Sequence, residues 1–191
     1  ADHIGYINRI KSLTEVISDN PNYLEVHICQ IVRLIKDNNF LKMSKREGNF
    51  ITLNEIVKKV GKDPLRYFMI SSKSETPMDF DMDKVIEKNK DNPVFYCQYA
   101  YARASSVINK AININEFKEF KKNISYFDKD SISEYEREII LKIISWPYVL
   151  LQSAISKQPH KITNFIEDLC AHFHSFWNKG KEDQNLRLID T

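Results

Sequence analysis

Lys42 and Lys45 bracket Met43 and Ser44, and Arg46, Glu47, Gly48 and Asn49 come directly after. Two ammonium groups around a small hydroxyl residue, closed by Gly-Asn, suit one chemistry above others: holding charge on the phosphates of a nucleotide. When a phosphoryl leaving group departs, negative charge builds on it, and cations aimed at that charge lower the barrier. Lys45 is the stronger candidate and Lys42 the second. Met43 and Ser44 shape the loop, and Gly48 allows it to hinge. A solvated basic turn explains most short charge runs of this kind, so the flanks must decide.

The elements around the run are those a nucleotide loop needs. Apolar residues at Ile7, Ile10, Leu13, Val16 and Ile17 recur at helical spacing, and Asn20-Pro21-Asn22 ends that helix. Tyr23 to Lys36 is rich in β-branched residues and predicts one or two strands, with a turn at Asp37-Asn38-Asn39. After the lysine run, Thr52-Leu53-Asn54-Glu55 is a capping box. Leu53, Ile56, Val57 and Val60 form the stripe of the helix it opens, and Gly61 is its expected C-terminal cap. Asp63-Pro64 predicts the start of another helix, with the Asp63 carboxylate as cap. Ser71 to Asp79 reads as a connector.

Further on, Asp81 and Asp83 are candidate caps for a short helix ending near Lys90. Asn92-Pro93 opens a long helix whose expected inner face is Val94, Cys97, Tyr101, Ala104, Ile108 and Ala111. Two more helices are predicted, from Ser133 to Ser156 with Pro147 kinking or dividing it, and from Lys161 to Asn178. The second carries an apolar stripe of Ile162, Phe165, Leu169, Phe173 and Phe176. The boundary between a mixed first part and an all-helical second part falls between Met82 and Asn92.

Composition sets outer limits. The 191 residues are 42% hydrophobic and 28% charged, ordinary for a globular protein with a sizeable core. A net charge of +2 does not make a uniformly basic coat, so any nucleic-acid contact must come from local patches. Cys29, Cys97 and Cys170 are widely spaced and odd in number, which fits free thiols in a reducing, cytoplasmic compartment better than a disulfide framework. No apolar run reads as membrane-spanning, so no membrane partner is expected.

With these residues in view, the chain resembles the arginyl-tRNA synthetase family over nearly its whole length. Lys42 to Leu53 (KMSKREGNFITL) and then Gly61 to Phe68 (GKDPLRYF) form a pattern shared by several class I aminoacyl-tRNA synthetases. Asp79 to Asp83 (DFDMD) and Asp91 to Arg103 (DNPVFYCQYAYAR) look like the arginine enzyme in particular. Arg46, where serine is commoner, adds one more cation to the loop. The resemblance implies a mostly α chain: the end of a class I Rossmann-type α/β catalytic domain (1–83, with the KMSK loop and a connector), then an all-helical anticodon-binding bundle (84–191). It implies ATP as a substrate, with Mg2+ and no structural metal, and tRNA(Arg) as partner. Arginine and ATP would be held largely by an amino-terminal half that is missing here. His3-Ile4-Gly5-Tyr6 imitates the His-Ile-Gly-His signature of class I but lacks its last histidine and lies too close to the lysines. His3 is read instead as a residue near the ATP and adenylate pocket. The chain is expected to be a carboxyl-terminal piece that also lacks its last helices.

Each further candidate has a plainer alternative. Arg66, with Asp63, is read as coupling the loop region to the tRNA acceptor arm, or as a surface cation. Gln98, Arg103, Trp177 and Lys179 are candidate tRNA contacts, since aromatics beside cations suit exposed bases; Trp177 is as readily core. Of the tyrosines, Tyr96 and Tyr101 are expected inside, with Gln98 and Arg103 more exposed. His27 and Gln30 are read as scaffold, and Asp79, Asp81 and Asp83 as helix caps instead of metal ligands. Cys170, His172 and His174 lack a full ligand set for zinc. Two other functions stay open: a non-catalytic tRNA-binding module or remnant of a split enzyme, and a cysteine- or methionine-type class I synthetase.

Overall fold

The computed structural model describes residues 3–43, 50–114 and 132–189. The chain divides into two compact units, Ala1–Val85 and Ile86–Thr191.

In the first unit, β1 (Val32–Lys36) pairs antiparallel with β2 (Asn39–Phe40) and parallel with β3 (Met78–Asp81), giving the strand order β2-β1-β3. Asp37 and Asn38 turn the hairpin with φ of 51° and 59°, the left-handed values that a two-residue hairpin turn needs and that Asp and Asn tolerate. A parallel pair cannot be joined by a tight turn. The chain therefore crosses from β2 to β3 through α2 (Leu53–Val60) and α3 (Lys62–Ser71). Leu34, Ile56, Val60, Leu65, Phe80, Met82 and Val85 form the core between them. Phe68 meets Phe80 edge-on at 6.2 Å.

Thr52 opens α2 with the expected capping box. Its N–H donates to Glu55 Oε2 at 2.7 Å, and Glu55 N–H donates to Thr52 Oγ1 at 3.2 Å. Those hydrogen bonds from the Thr52 backbone and hydroxyl hold the Glu55 carboxyl below its ordinary pKa. Gly61 closes α2, its N–H donating to Val57 O at 2.9 Å, and is at once the residue before α3. That corrects the expectation for Asp63, which lies in the first turn of α3 and makes no capping bond.

Other expectations for this unit need correction. Of the predicted stretch Tyr23 to Lys36, only Val32–Lys36 pairs in the sheet. Residues 24–31 alternate between half-buried and exposed as a strand would, but among the described residues no second strand flanks them. Their Gln30 N–H instead donates to Ser74 O at 2.7 Å. β3 lies in and beyond what reads as a connector, because aspartates are poor strand formers. Yet Phe80 points inward between exposed Asp79 and half-buried Asp81.

The three aspartates also separate. Asp79 pairs with Arg33 across the parallel strands at 2.6 and 2.9 Å, and Asp83 Oδ2 accepts the Asp37 N–H at 2.7 Å. Only Asp81 caps, accepting the N–H groups of Asp83 and Lys84. The element it caps is a single 3-10 turn, Lys84–Ile86, instead of a helix reaching Lys90. Burial alone would raise the Asp81 carboxyl; the Lys84 and Asp83 N–H groups and the Lys84 ammonium outweigh it and leave its pKa lowered. At the front, α1 (Ile7–Ser18) forms as predicted, but none of its residues is buried, and Leu13, Val16 and Ile17 stand exposed.

In the second unit α6 (His160–Glu182) packs against both α4 (Pro93–Ala111) and α5 (Glu134–Ser156). Asn92 starts α4 as expected: its Oδ1 accepts the Val94 N–H at 3.0 Å while its Nδ2 donates to Glu87 O at 2.7 Å. The inner face of α4 is Val94, Ala100 and Ala111, with Tyr101 76% exposed and Ile108 half exposed, so both leave the expected stripe. Alanine at 100 lets a neighbour come close where a tyrosine would hold it off. The buried face of α6 is likewise less apolar than predicted, with Thr163, Cys170 and His174 beside Phe165 and Phe176.

Pro147 neither divides nor ends α5, which is continuous from Glu134 to Ser156. Ile143, whose carbonyl loses its partner to the proline, is exposed, so water can take that bond. Contrary to the sequence expectation, α5 is long and apolar enough, by length and composition alone, to cross a membrane. Within that stretch, however, Lys142 is paired with Asp168 of α6.

Gly61 has φ 87° and ψ 161°, a region essentially closed to residues with a Cβ. A Cβ there would meet only Pro64 Cδ at 3.6 Å, so the cost of replacing it is dihedral and not steric. Gly61→Ala is expected to destabilise the first unit by about 1–3 kcal/mol, read as a lower urea midpoint at unchanged slope; an unshifted midpoint would sink this account.

Candidate nucleotide loop and nucleic-acid platform

The lysine run lies between two anchored ends. Before it, Leu41 packs on the core and its N–H donates to Leu34 O at 2.9 Å. After it, Ile51 packs on the same core and Thr52 caps α2. Lys42 and Met43 continue from Leu41 into solvent and are exposed. Ser44, Lys45 and Gly48 lie outside the described residues, as does Arg46. His3 is exposed, its ring 5.9 Å from that of Tyr6. Among the described residues, no hydrogen bond or ring contact joins it to Lys42 or Met43. Arg66 stands exposed on α3, one residue after buried Leu65. His27 pairs with Glu25 at 3.0 Å.

In the second unit the structure brings two of the four candidate tRNA contacts together. Arg103 of α4 is half-buried, not the more exposed residue expected. Its Nη2 donates to Tyr99 Oη at 2.6 Å, and its Nη1 lies 3.2 Å from His174 Nδ1. The guanidinium carbon sits 4.0 Å from the Tyr99 ring centre and 5.1 Å from that of Trp177. Cation–π attraction and the hydrogen bonds to Tyr99 and His174 hold the group in place. Phe95 stacks on Tyr99 at 5.9 Å, with 7° between the rings.

His174 is the residue that orients this platform. Its Nε2 lies 3.2 Å from Tyr96 O, which can only accept, and its Nδ1 faces Arg103, which can only donate. The ring must therefore carry its proton on Nε2 and offer a lone pair at Nδ1. By sequence, His174 belongs with Cys170 and His172 to an incomplete metal pattern. The i, i+4 spacing does put Cys170 and His174 on the buried face of α6, but only the fold shows that the partner is Arg103.

The remaining members go elsewhere. Gln98 is exposed on α4 and makes none of these contacts. Lys179 pairs with Glu182 at 2.8 Å, a bond that raises the pKa of its ammonium and occupies its charge within α6. His172 lies 3.2 Å from Glu138 Oε2 and 3.6 Å from Asp168 Oδ1. Tyr96 is half-buried with its phenol pushed up by burial, and its ring is 4.4 Å from that of His174.

Cys170 and Cys97 meet between α6 and α4. The Cys170 thiol is raised, first by its hydrogen bond with Cys97 and then by burial. Cys29 is exposed. A thiolate is the reactive form, so under native conditions a thiol-reactive probe is expected to modify Cys29 rapidly and Cys170 only after denaturation. Equal rates at both, read by peptide mass, would contradict the burial of Cys170.

Known proteins share these sequences and this fold. Residues 97–187 match the family described as the DALR anticodon binding domain, and residues 2–82 match the one described as tRNA synthetases class I (I, L, M and V). An arginine–tRNA ligase of Bartonella bacilliformis is 40% identical over 99% of this chain, which spans 32% of that relative. One of Pelagibacter ubique is 42% identical over 100% of the chain and 32% of its own length. A solved structure from Campylobacter jejuni, described as a candidate arginyl-tRNA synthetase, superposes with a TM-score of 0.81 at 31% identity. It covers 98% of this chain and 41% of that one. The chain thus spans about a third of the length of the curated relatives it matches.

Proposed function

We propose a function from a plain premise: the chain belongs to the arginyl-tRNA synthetase family. The proposed activity is ATP-dependent joining of arginine to tRNA(Arg) in the cytoplasm, with this chain supplying the lysine loop and a platform for the anticodon. In the first step a carboxylate oxygen of arginine attacks the α-phosphorus of ATP. An O–P bond forms, and the bond to pyrophosphate breaks. In the second, a terminal ribose hydroxyl attacks the adenylate carbonyl and AMP leaves. ATP enters as its Mg2+ complex.

Within the first step Lys42 and Lys45 carry the charge that grows on pyrophosphate. Met43 and Ser44 set the loop's shape, Gly48 its hinge, and His3 borders the adenylate. Anchorage of Leu41 and Ile51 on one core supports this reading, because it limits where the lysines can reach. Arg66 is assigned to the acceptor arm.

The anticodon role rests chiefly on one observation, the Arg103 guanidinium set 4.0 Å from the Tyr99 ring centre and 5.1 Å from that of Trp177. Unpaired bases stack on such a surface without needing a duplex groove. Gln98 and Lys179 are assigned to its edges, with Lys179 contributing little while it pairs with Glu182.

Two measurements run in parallel test the assignment. The chain is expected to bind a tRNA(Arg) transcript, and Arg103→Ala is expected to weaken that binding by about 1–3 kcal/mol. In an enzyme that carries this chain within its full length, Lys45→Ala is expected to slow pyrophosphate exchange far more than it weakens tRNA binding. Transcript binding that ignores Arg103→Ala removes the platform; equal losses in both assays remove the loop assignment.

A further inference from the structure

α5 carries an apolar seam on the side turned away from α6. Leu141, Ile144, Tyr148, Leu151 and Ile155 follow one another at intervals of three, four, three and four residues, and each is between 56% and 67% exposed. That alternation averages about 3.5 residues, the repeat that keeps a narrow stripe against one partner helix along its length. The other side of α5 is already in use. Trp146 packs on Phe165 of α6 with ring centres 5.1 Å apart, Lys142 pairs with Asp168, and Ser153 is buried. The seam is thus a second face on a helix whose first face is satisfied.

Charge and area choose among the occupants. Glu134, Glu136 and Glu138 surround Arg137 at the start of α5, while Lys157 follows its end and Lys161 comes four residues later. The acidic start repels an anionic lipid surface, and a helix that crosses lipid is apolar all round, which the Lys142–Asp168 pair forbids here. Two copies laid antiparallel set the acidic start of each against the basic end of the other, whereas a parallel pair would stack like charges. Between the ends, the residues bordering the seam, Ser145, Pro147, Gln152 and Ala154, are uncharged, so no repulsion crosses a two-fold axis. Ile143 and Leu150, also about half exposed, widen the patch. Together these side chains approach the roughly 800 Å² that each partner contributes to a stable interface.

We propose that α5 is a self-association surface: two copies of this chain pair their seams from Leu141 to Ile155, antiparallel, about a two-fold axis near Tyr148. The interface is isologous, the same patch on both copies, and so closes at two. Tyr148 sits at its middle, and Leu141 of one copy lies toward Ile155 of the other. The pairing uses no residue of the lysine loop or of the Arg103 platform, so it stands or falls apart from both.

The test uses the full chain. In sedimentation equilibrium its mass is expected to approach twice the 22.5 kDa of one copy and to fall back on dilution. Tyr148→Glu/Leu151→Glu sets uncompensated charge in the seam and should raise the dissociation constant about 100-fold or more. Both positions are exposed, so helix content by circular dichroism should hold. In a Cys29→Ser background, Tyr148→Cys copies should join through a short bis-maleimide. Leu141→Cys copies should join only when mixed with Ile155→Cys copies, as an antiparallel pair requires. A chain that stays monomeric overturns the proposal. So does a dimer that survives the double-Glu variant, because it must use another face. Leu141→Cys copies that join one another as readily as Tyr148→Cys copies overturn the antiparallel seam. A monomer that floats with phosphatidylglycerol vesicles overturns it in favour of a lipid surface.

Discussion

Parallel pairing of Val32–Lys36 with Met78–Asp81 is the constraint on which the first unit depends. Two parallel neighbours demand a long crossover, and the chain spends that crossover on the lysine loop and on α2 and α3. The hairpin at Asp37-Asn38 sends β2 back beside β1. The chain then leaves the sheet at Leu41 and must return to the same core at Ile51. Phe80, 1% exposed, is the buried centre that strand, crossover and loop ends share. Arg33–Asp79 and Asp83 to the Asp37 N–H fasten the register from outside, but such exposed pairs add little beside the apolar core.

The second unit depends on a different kind of interaction. α6 lies against both other long helices, and its buried face mixes phenylalanine with Thr163, Cys170 and His174. Buried polar groups need partners, and Cys170 and His174 find them across the α4 boundary. His174 does so most fully, joining a backbone carbonyl to a guanidinium through the two sides of one ring. That arrangement takes rotational freedom from Arg103 before any ligand arrives. A binding surface whose cation is already ordered loses less entropy when it engages.

Much of this was legible in the residues. The capping box at Thr52, the Asn92-Pro93 start and the span from Ser133 to Ser156 appear where local chemistry puts them. So does the family resemblance carried by Lys42 to Leu53 and Asp91 to Arg103. What escaped is non-local. β3 is four residues long and half aspartate, so only its partner β1 makes it a strand. Tyr101 leaves the core because the face of α4 is chosen by where α6 lies, not by hydrophobicity. Pro147 fits inside α5 because its neighbours face water. The partnership of Arg103 with His174 and Trp177 joins stretches of chain far apart in sequence, which no spacing rule could link.

Leu41 and Ile51, which fasten the two ends of the lysine loop, belong to one hydrophobic cluster and not to two separate elements. The loop is therefore a strap with both buckles on a single plate. Loosening the plate, by shaving a methyl from Val60 or Leu34, would leave every lysine in place yet unsettle the seats of Leu41 and Ile51. The two attachments of the lysine run would then shift although no lysine had been changed. For this chain, mutational maps of the loop are incomplete unless they also extend to the apolar residues beneath it.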